Sequence, residues 1–284
     1  MMKYLILAMI ILLMFSTVKA GVGSSLFNTA LKVTRPVDSI KDIYYGNEAW
    51  QTLNIYPAEN RSNAPVIVFI YGGAWYKGSK EQHHFVADGL VRLGYTVVIP
   101  DYIKYPEGKF PTFVEDIALA TAWVKNNIIN YNGNPNQIFL AGHSAGAHTG
   151  ALLVTDNQYL NTVGMSKNEI KGFVGLAGPY NFTPKNPKYI ETFGSENFEI
   201  MKANHHVDGS EPPIKLMHSS GDKTVALFNY QTFRNKLRSE GVQVETKLFE
   251  DIGHVSMVLK IHPWFADEID LAKEIDHFFS KIIN

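Results

Sequence analysis

The sequence predicts an α/β protein with a doubly wound, mostly parallel sheet of eight strands that is flanked by helices. Apolar runs typical of strands alternate along the chain with segments of helical periodicity, and this alternation is typical of parallel sheets covered by helices. Several runs, such as residues 66–71, are almost continuously apolar, as expected for strands that are buried on both faces. With 284 residues, of which 45% are hydrophobic, the chain can bury the core of one large domain.

The predicted elements follow one another without a repeat or a long linker, so one domain, residues 21–284, is expected. The predicted strands are residues 39–45, 52–56, 66–71, 96–102, 137–142, 172–176, 214–218 and 243–250. The predicted helices are residues 80–93, 112–127, 145–154, 225–240 and 265–281. In the second helix, Phe113, Ile117, Ala120 and Val124 recur at helical spacing.

The first twenty residues differ in kind from the rest of the chain. Lys3 is followed by an apolar run, residues 4–15, which is too short to span a bilayer comfortably and is typical of a signal peptide. Val18 and Ala20 are small residues before a cleavage point. We therefore expect residues 1–20 to direct export to the periplasm or out of the cell. The alternative is an uncleaved anchor that tethers the domain to a membrane.

Composition excludes several kinds of chemistry. The chain has no cysteine, which excludes disulfides, thiolate nucleophiles and cysteine-ligated metals. Its formal net charge of -1 leaves no basic surplus, so no nucleic-acid partner is expected. No P-loop or H-E-x-x-H motif occurs, and adjacent histidine side chains, at 83–84 and 205–206, rarely converge on one ion. We therefore expect neither a cofactor nor a metal.

The functional site is expected at one edge of the sheet. In doubly wound sheets, ligands bind outside the carboxyl ends of the strands, so the residues just after each strand are the candidates. Residues 180–213 fit no clear element of the sheet. This segment is rich in aromatic residues and prolines, and could form a small lid over that edge.

The segment QIFLAGHSAGAH places Ser144 in a G-x-S-x-G motif, between Gly142 and Gly146. The motif follows a predicted buried strand and precedes a helix of small residues, which is the structural context of a nucleophile turn. A nucleophile on such a turn exposes its Oγ while its neighbours press against strand and helix, where only glycine or alanine fits. We therefore predict that Ser144 is a nucleophile.

A serine nucleophile needs a base and an acid that orients the base. In this fold their order along the chain is Ser, then Asp or Glu, then His. Asp222 follows a predicted strand, and His254 follows the last one, so these two residues are the predicted acid and base. Other acids and histidines fit less well by position or order: Asp101, Asp208, Asp251, His143, His148, His262 and His277.

Six motifs together resemble the α/β-hydrolase superfamily, and more narrowly the hormone-sensitive-lipase-like carboxylesterases, including their isoprenylcysteine-methylesterase and arylformamidase branches. The motifs are YGGAWYKGSK, PDYIKYPEGKFP, EDIALATAWV, GHSAGAH, GDKTV and IGHVSM, in this order from about residue 65 to the C-terminus. The resemblance implies a triad of Ser144, His254 and Asp222. It also implies that the loop after the third strand, YGGAW, forms part of an oxyanion hole.

The oxyanion hole would consist of backbone amides. The G-x-S-x-G motif itself assigns one of them to Ala145, the residue after the nucleophile. The resemblance assigns the others to Gly73 and Ala74, and Gly72 and Gly73 would let the backbone approach the substrate closely. Each such donor contributes roughly 2.7–4 kcal/mol to transition-state stabilisation.

Four further residues of this region receive roles, those of Tyr71 and Asp101 from the resemblance. The family usually has histidine where this chain has Tyr71, and a tyrosine hydroxyl can make a similar loop-fixing hydrogen bond. Asp101, next to Tyr102, resembles a structural residue beneath the oxyanion loop. Trp75 and Tyr76 would line a substrate pocket, and a role in the core is an equal alternative.

The sequence thus predicts a serine carboxylesterase that cleaves small or medium carboxylic esters through an acyl-enzyme. Arylformamidase or small amidase or peptidase activity on the same fold is one alternative. A catalytically inactive binding module is another, although such proteins normally lose a triad residue and this chain keeps all three.

Overall fold

One sheet organises the part of the chain that the structure, a computed structural model, describes, residues 36–283. Its eight strands are β1 (Ile40–Tyr44), β2 (Thr52–Tyr56), β3 (Ala64–Ile70), β4 (Thr96–Pro100), β5 (Gly133–His143), β6 (Ile170–Leu176), β7 (Ile214–Ser219) and β8 (Val244–Phe249). Their spatial order is β1-β2-β4-β3-β5-β6-β7-β8. The pairs β1–β2 and β2–β4 are antiparallel, and the other five pairs are parallel. The predicted signal peptide, residues 1–20, lies outside the described residues.

Helices connect the parallel strands and cover the sheet. They are α1 (His84–Val91), α2 (Thr112–Asn127), α3 (Ala145–Thr155), α4 (Asn157–Thr162), α5 (Pro187–Phe193), α6 (Phe228–Ser239), α7 (His254–Leu259) and α8 (Leu271–Ile283). Short 3-10 turns occur at Lys80–His83, Ile128–Tyr131, Lys167–Glu169, Ser195–Asn197 and Ala203–His205. None of the helices in residues 36–283 combines the length and apolar character that crossing a membrane requires.

Burial along the strands explains their sequence pattern. Every residue of β2, β3, β4 and β7 is buried, because both faces of the sheet are covered. Each fully buried valine, isoleucine or phenylalanine of these strands contributes roughly 1.5–3 kcal/mol to folding. β1 and β8, at the two edges, are largely exposed or half-buried. The predicted doubly wound, mostly parallel sheet of eight strands is therefore confirmed.

Two predicted helix starts are wrong, and the structure gives a physical reason for the first. The helix predicted from residue 225 begins at Phe228, because the amides of Thr224 and Val225 bind the carboxylate of Asp222 instead of opening a helix. The last helix, predicted from residue 265, begins at Leu271. By contrast, α2 has the bounds that the helical spacing predicts.

Four parallel strands bring their carboxyl ends to the same edge of the sheet. β3 is followed by the loop that starts at Tyr71, and β5 is followed by Ser144. β7 and β8 are followed by the turns that carry Asp222 and His254. Residues far apart in sequence therefore lie close together at this edge, as expected for a doubly wound sheet.

Residues 180–213 contain more regular structure than the sequence indicates. They include α5 and two of the 3-10 turns, Ser195–Asn197 and Ala203–His205. The side chain of Asn186 caps α5 by accepting a hydrogen bond from the Lys188 amide, and Pro187 stands in its first turn, where proline is tolerated. A helix of seven residues is too short to show a clear apolar period.

Candidate active site

Ser144 lies on a sharp turn between β5 and α3. Its φ of 57° and ψ of -123° are rarely adopted by a residue other than glycine. The Ser144 amide donates to the Leu176 carbonyl at 2.9 Å, which fixes the turn to β6. A Cβ on Gly142 would lie 2.5 Å from the Gly146 carbonyl oxygen, and one on Gly146 would lie 2.0 Å from that of Ile70. The flanking glycines are therefore required by close packing around the strained serine.

Three side chains form a continuous chain of hydrogen bonds. The Ser144 hydroxyl donates to Nε2 of His254 at 2.8 Å, and Nδ1–H of His254 donates to Oδ2 of Asp222 at 2.7 Å. The Asp222 side chain is 1% exposed and that of His254 is 10% exposed. This geometry allows the imidazole to accept the serine proton while the carboxylate holds the ring in one tautomer.

Asp222 is held as a carboxylate. Burial would raise its pKa, but hydrogen bonds from His254 and from the amides of Val225 and Thr224 outweigh burial and leave the pKa below its ordinary value. The two amides lie 3.0 Å and 2.8 Å from Oδ1. Oδ2 therefore remains available, and negatively charged, for His254.

The loop after β3 lies directly against Ser144. A Cβ on Gly72 would come within 2.9 Å of the His143 carbonyl oxygen and 3.0 Å of the Ser144 Cβ. The next residue, Gly73, has a φ of 144°, a conformation that requires glycine. Ala74 follows with a φ of 54°. A backbone conformation with positive φ costs a non-glycine residue of order 1–3 kcal/mol of folding free energy, and such strain is typical of functional sites.

Three backbone amides near Ser144 have no partner of their own. Within residues 36–283, the amides of Gly73, Ala74 and Ala145 donate to no other group of the protein. The carbonyl of Gly73, in contrast, accepts from the amides of Tyr76 and Lys77, which closes the turn of the loop. The loop conformation is thus held by other groups, and these three amides remain available to bind an anion.

Tyr71 and Asp101 support this loop from below. The Tyr71 hydroxyl donates to Oδ1 of Asp101, and the Tyr102 hydroxyl donates to the Tyr71 carbonyl at 2.9 Å. The Tyr71 ring stacks on Tyr102 at 4.7 Å and on His83 at 4.9 Å. Burial raises the pKa of the Tyr71 phenol well above its ordinary value, so the hydroxyl stays a donor. These contacts agree with the loop-fixing and scaffold roles expected of the two residues.

Trp75 and Tyr76 point towards residues 180–213. The Trp75 side chain is buried, with its ring stacked on Phe182 at 5.6 Å and edge-on to Phe193 at 4.7 Å. Tyr76 is half-buried, and Nζ of Lys188 lies 3.8 Å from its ring centre. The loop after β3 and the segment 180–213 are therefore joined by aromatic packing, with Trp75 at its centre.

The other acids and histidines considered from the sequence lie elsewhere. His148 donates to the Met201 carbonyl at 2.7 Å, and His262 is fully buried with Nε2 2.6 Å from Oδ2 of Asp88. Asp208 pairs with Lys167, and His277 is exposed on α8. None of them joins the hydrogen-bond chain of Ser144.

The adjacent histidines at 205 and 206 contact separate acidic residues. His205 pairs with Glu199 and His206 with Asp156, so the two rings point to different partners. In the part of the chain that the structure describes, no group of three or more histidine, cysteine, aspartate or glutamate side chains could hold a metal ion.

One contact within the site has no counterpart in the sequence pattern. His143 fits poorly as the base because it adjoins Ser144, but its Nε2 lies 3.0 Å from the backbone carbonyl oxygen of His254. The two residues are 111 positions apart, so no local pattern could reveal their contact.

Comparison with curated proteins finds esterases. Isoprenylcysteine alpha-carbonyl methylesterase ICME of Arabidopsis thaliana is 29% identical over 248 residues, which cover 78% of this chain and 57% of that protein. Esterase LipC of Mycobacterium tuberculosis is 27% identical over 219 residues, which cover 69% of this chain and 54% of that protein. The chain spans about half the length of the curated relatives it matches.

Solved structures share the fold. Esterase B of Lactobacillus rhamnosis, solved with a tributyrin phosphonate, matches with a TM-score of 0.77 at 19% identity, covering 98% of this chain and 96% of that one. A truncated carbohydrate esterase from gut microbiota matches with a TM-score of 0.75 at 19% identity, covering 86% of this chain and 96% of that one. The predicted α/β-hydrolase fold is therefore confirmed.

A sequence model of the BD-FAE family matches residues 53–237, well over half of the chain. The matched region contains the loop after β3, Ser144 and Asp222, while His254 lies beyond it. The resemblance to hormone-sensitive-lipase-like members of the α/β-hydrolase superfamily is thereby confirmed, and the chain belongs to the BD-FAE family.

Proposed function

We propose that this protein is a serine carboxylesterase that cleaves small or medium carboxylic esters through an acyl-enzyme. The observation that carries the proposal is the hydrogen-bond chain from Ser144 through His254 to Asp222, with links of 2.8 Å and 2.7 Å. The relatives named as esterases support the same reaction class.

Acylation begins at the Ser144 hydroxyl. As Oγ attacks the ester carbonyl carbon, Nε2 of His254 takes the hydroxyl proton, and the carboxylate of Asp222 stabilises the resulting imidazolium. The carbonyl oxygen becomes an anion in the tetrahedral intermediate. When the intermediate collapses, the alcohol leaves with the proton that His254 returns, and the acyl group remains on Ser144.

The amides of Gly73, Ala74 and Ala145 would bind the oxyanion. They have no other partner within residues 36–283, and the loop that carries two of them packs against Ser144. Donors that are fixed before the reaction need no reorganisation when the charge develops, which is why such a site accelerates acyl transfer.

Deacylation repeats these steps with water in place of the alcohol. His254 takes a proton from water as the water oxygen attacks the acyl carbon, and then returns it to Ser144 as the acid product leaves. The same three side chains and the same amides serve both halves of the cycle. No further group is required for the proton balance.

Turnover of a graded ester series tests the proposal. We expect hydrolysis of 4-nitrophenyl esters within the series acetate, butyrate and octanoate, and labelling of Ser144 by a fluorophosphonate. Because one curated relative is named a methylesterase and one structural neighbour a carbohydrate esterase, a prenylcysteine methyl ester and an acetylated sugar belong in the panel. Turnover of formyl-amides or peptides alone would overturn the ester assignment, and absence of labelling would favour an inactive binding module.

Replacing Tyr71 by phenylalanine should change kcat or chain-length preference by less than about tenfold. The variant loses one hydrogen bond to a carboxylate, which contributes roughly 1.5–3 kcal/mol to folding, but it keeps all the oxyanion amides and the bond from Tyr102 to the Tyr71 carbonyl. Kinetics on the same ester series measure the effect, with Tyr45→Phe as the matched control, because the Tyr45 hydroxyl also binds Asp101, through its carbonyl at 2.7 Å. Complete inactivation of Tyr71→Phe alone would show that Tyr71 does more than fix the loop.

Two further assignments belong to the same proposal. Residues 180–213 would act as a lid that shapes the substrate pocket, supported by the packing of Trp75 against Phe182 and Phe193. Export through residues 1–20 rests on their sequence pattern. The mass of the protein recovered from its native host would show whether residues 1–20 are removed.

A further inference from the structure

His143 links three parts of the site. It is the last residue of β5, directly before Ser144, and its side chain is buried. Its Nε2 lies 3.0 Å from the backbone carbonyl oxygen of His254, and the two rings are 4.7 Å apart at an angle of 39°. Its Nδ1 faces Gly72 of the oxyanion loop, since a Cβ there would lie 3.2 Å from that atom.

We propose that His143 is a positioning residue for the reaction: its Nε2–H donates to the His254 carbonyl and thereby fixes the catalytic base relative to Ser144. The inference rests on the proposed function, because it assigns to His143 a role in presenting the base of that reaction. His143 itself touches neither the substrate nor the proton that is transferred.

The base needs such an anchor because it lies at the start of a short helix near the edge of the sheet. His254 opens α7, a helix of only six residues that follows a turn after the edge strand β8. The preceding turn is tied down by the Ile252 amide, which donates to Oγ of Ser219 at 2.9 Å. The bond from His143 adds a direct link from the backbone of His254 itself to β5, in the interior of the sheet.

The anchor and the nucleophile are consecutive residues of one strand end. Any displacement of β5 therefore moves Ser144 and the support of His254 together, which preserves the 2.8 Å distance between Oγ and Nε2. Reactions of this kind are sensitive to that distance, since a misplacement of about 1 Å can cost about 100-fold in rate.

The His143 ring is suited to remain a neutral donor. Burial and the neighbouring His254 lower the pKa of His143 to about 3, and His83 acts in the same direction, while the bond to the His254 carbonyl and the charge of Asp222 oppose them. The hydrogen bond is therefore present without a positive charge beside the base. Such a charge would disfavour the imidazolium that His254 forms in the transition state.

Two variants of His143 test the role. His143→Leu removes the donor and should lower kcat for a short ester by about 100-fold with little change in KM, because substrate contacts are untouched. His143→Gln keeps an N–H donor at a similar distance from the backbone and should recover most of the loss. Equal losses in both variants, or wild-type kcat in a folded His143→Leu protein, would overturn the proposal.

Tyr95→Phe provides the matched control for buried hydrogen-bond loss. Its hydroxyl is 2.9 Å from Oδ1 of Asp276. Tyr95 directly precedes β4, so it lies at the amino ends of the parallel strands, opposite the site. This variant should lose some thermal stability but keep kcat. A comparable fall in kcat for Tyr95→Phe would assign the effect of His143→Leu to general destabilisation.

Fluorophosphonate labelling separates this inference from the ester assignment. If the wild type is labelled but cleaves no ester, the ester assignment fails, and slower labelling of His143→Leu than of His143→Gln still supports positioning. If the wild type is not labelled, both proposals fail.

A spectroscopic measurement covers the case in which His143→Leu does not fold. In NMR spectra of protein with ¹⁵N-labelled histidine, the ring signals of His143 are those that are absent from His143→Gln. Between pH 5 and pH 8 these signals should report a neutral ring with its proton on Nε2. A proton on Nδ1 instead would mean that the bond to the His254 carbonyl is not made, and would overturn the proposal.

Discussion

Ser144→Ala is expected to lower kcat for ester hydrolysis by about 10⁶-fold, since loss of a triad nucleophile in serine hydrolases costs this much. Without Oγ no acyl-enzyme can form, and neither His254 nor the oxyanion amides can replace that covalent step. The residual rate over water would come from binding and the oxyanion amides alone. Hydrolysis of 4-nitrophenyl acetate by variant protein from a host that lacks other esterases measures this loss.

The fold of Ser144→Ala should survive the change. Alanine has nearly the same steric limits as serine at a φ of 57°, so the strain of the turn is retained. Only the hydrogen bond to His254 is lost, and it lies at the site rather than in the core. Circular dichroism and the melting temperature should therefore stay close to those of the wild type.

Ser256→Ala is the matched control for this prediction. Ser256 is an exposed serine two residues after His254, so its replacement removes a hydroxyl near the site without touching the hydrogen-bond chain. It should keep wild-type kcat and full fluorophosphonate labelling. If Ser144→Ala retained turnover near the wild-type level, or remained labelled, Ser144 would not be the nucleophile.

The sequence predicts the site residues wherever local structure requires a particular residue type. Ser144 stands between glycines at the end of a buried strand, and this context alone predicts the turn that the structure contains. The order of Asp222 and His254 after two later strands predicts their meeting, because parallel strands end at one edge of the sheet. The hydrogen-bond chain thus follows from patterns of ten residues or fewer, combined with a rule of topology.

Such local patterns do not predict contacts between segments that are distant in the sequence. The contact of His143 with the His254 carbonyl depends on the exact placement of two segments 111 residues apart. The environment of Trp75 likewise depends on Phe182 and Phe193, in a segment whose short helix has no clear periodicity. The start of α6 at Phe228 is a third example, since the preceding amides bind the Asp222 carboxylate.

Asp222→Asn is expected to lower kcat by about 10⁴-fold, because a neutral amide cannot stabilise the imidazolium and can turn its NH₂ group towards Nδ1 of His254. Nδ1 would then accept a hydrogen bond, which places the ring proton on Nε2. A protonated Nε2 cannot accept the proton of Ser144. The Asp222 side chain is only 1% exposed and so is not accessible to a substrate, and KM should therefore change little. Steady-state kinetics on a short ester measure both parameters.

The same variant should also change how stability depends on pH. The native pKa of Asp222 lies below its ordinary value, so its ionisation favours the native state at a pH above about 4, the pKa of an unfolded aspartate. This contribution is lost as the pH falls through the lower native pKa. Urea unfolding between pH 7 and pH 3 should therefore show a smaller loss of stability on acidification in Asp222→Asn than in the wild type.

Asp251→Asn decides whether these effects belong to Asp222 itself. Asp251 is an exposed acid three residues before His254, and its φ of 53° is a conformation that asparagine tolerates well. The variant removes the same charge from the turn that precedes the base but leaves the 2.7 Å bond between Nδ1 and Asp222 intact. It should keep kcat within about threefold of the wild type, because an exposed charge interacts weakly through water. If Asp251→Asn lost as much activity as Asp222→Asn, the field of nearby acids, and not the hydrogen bond from Asp222, would control the base.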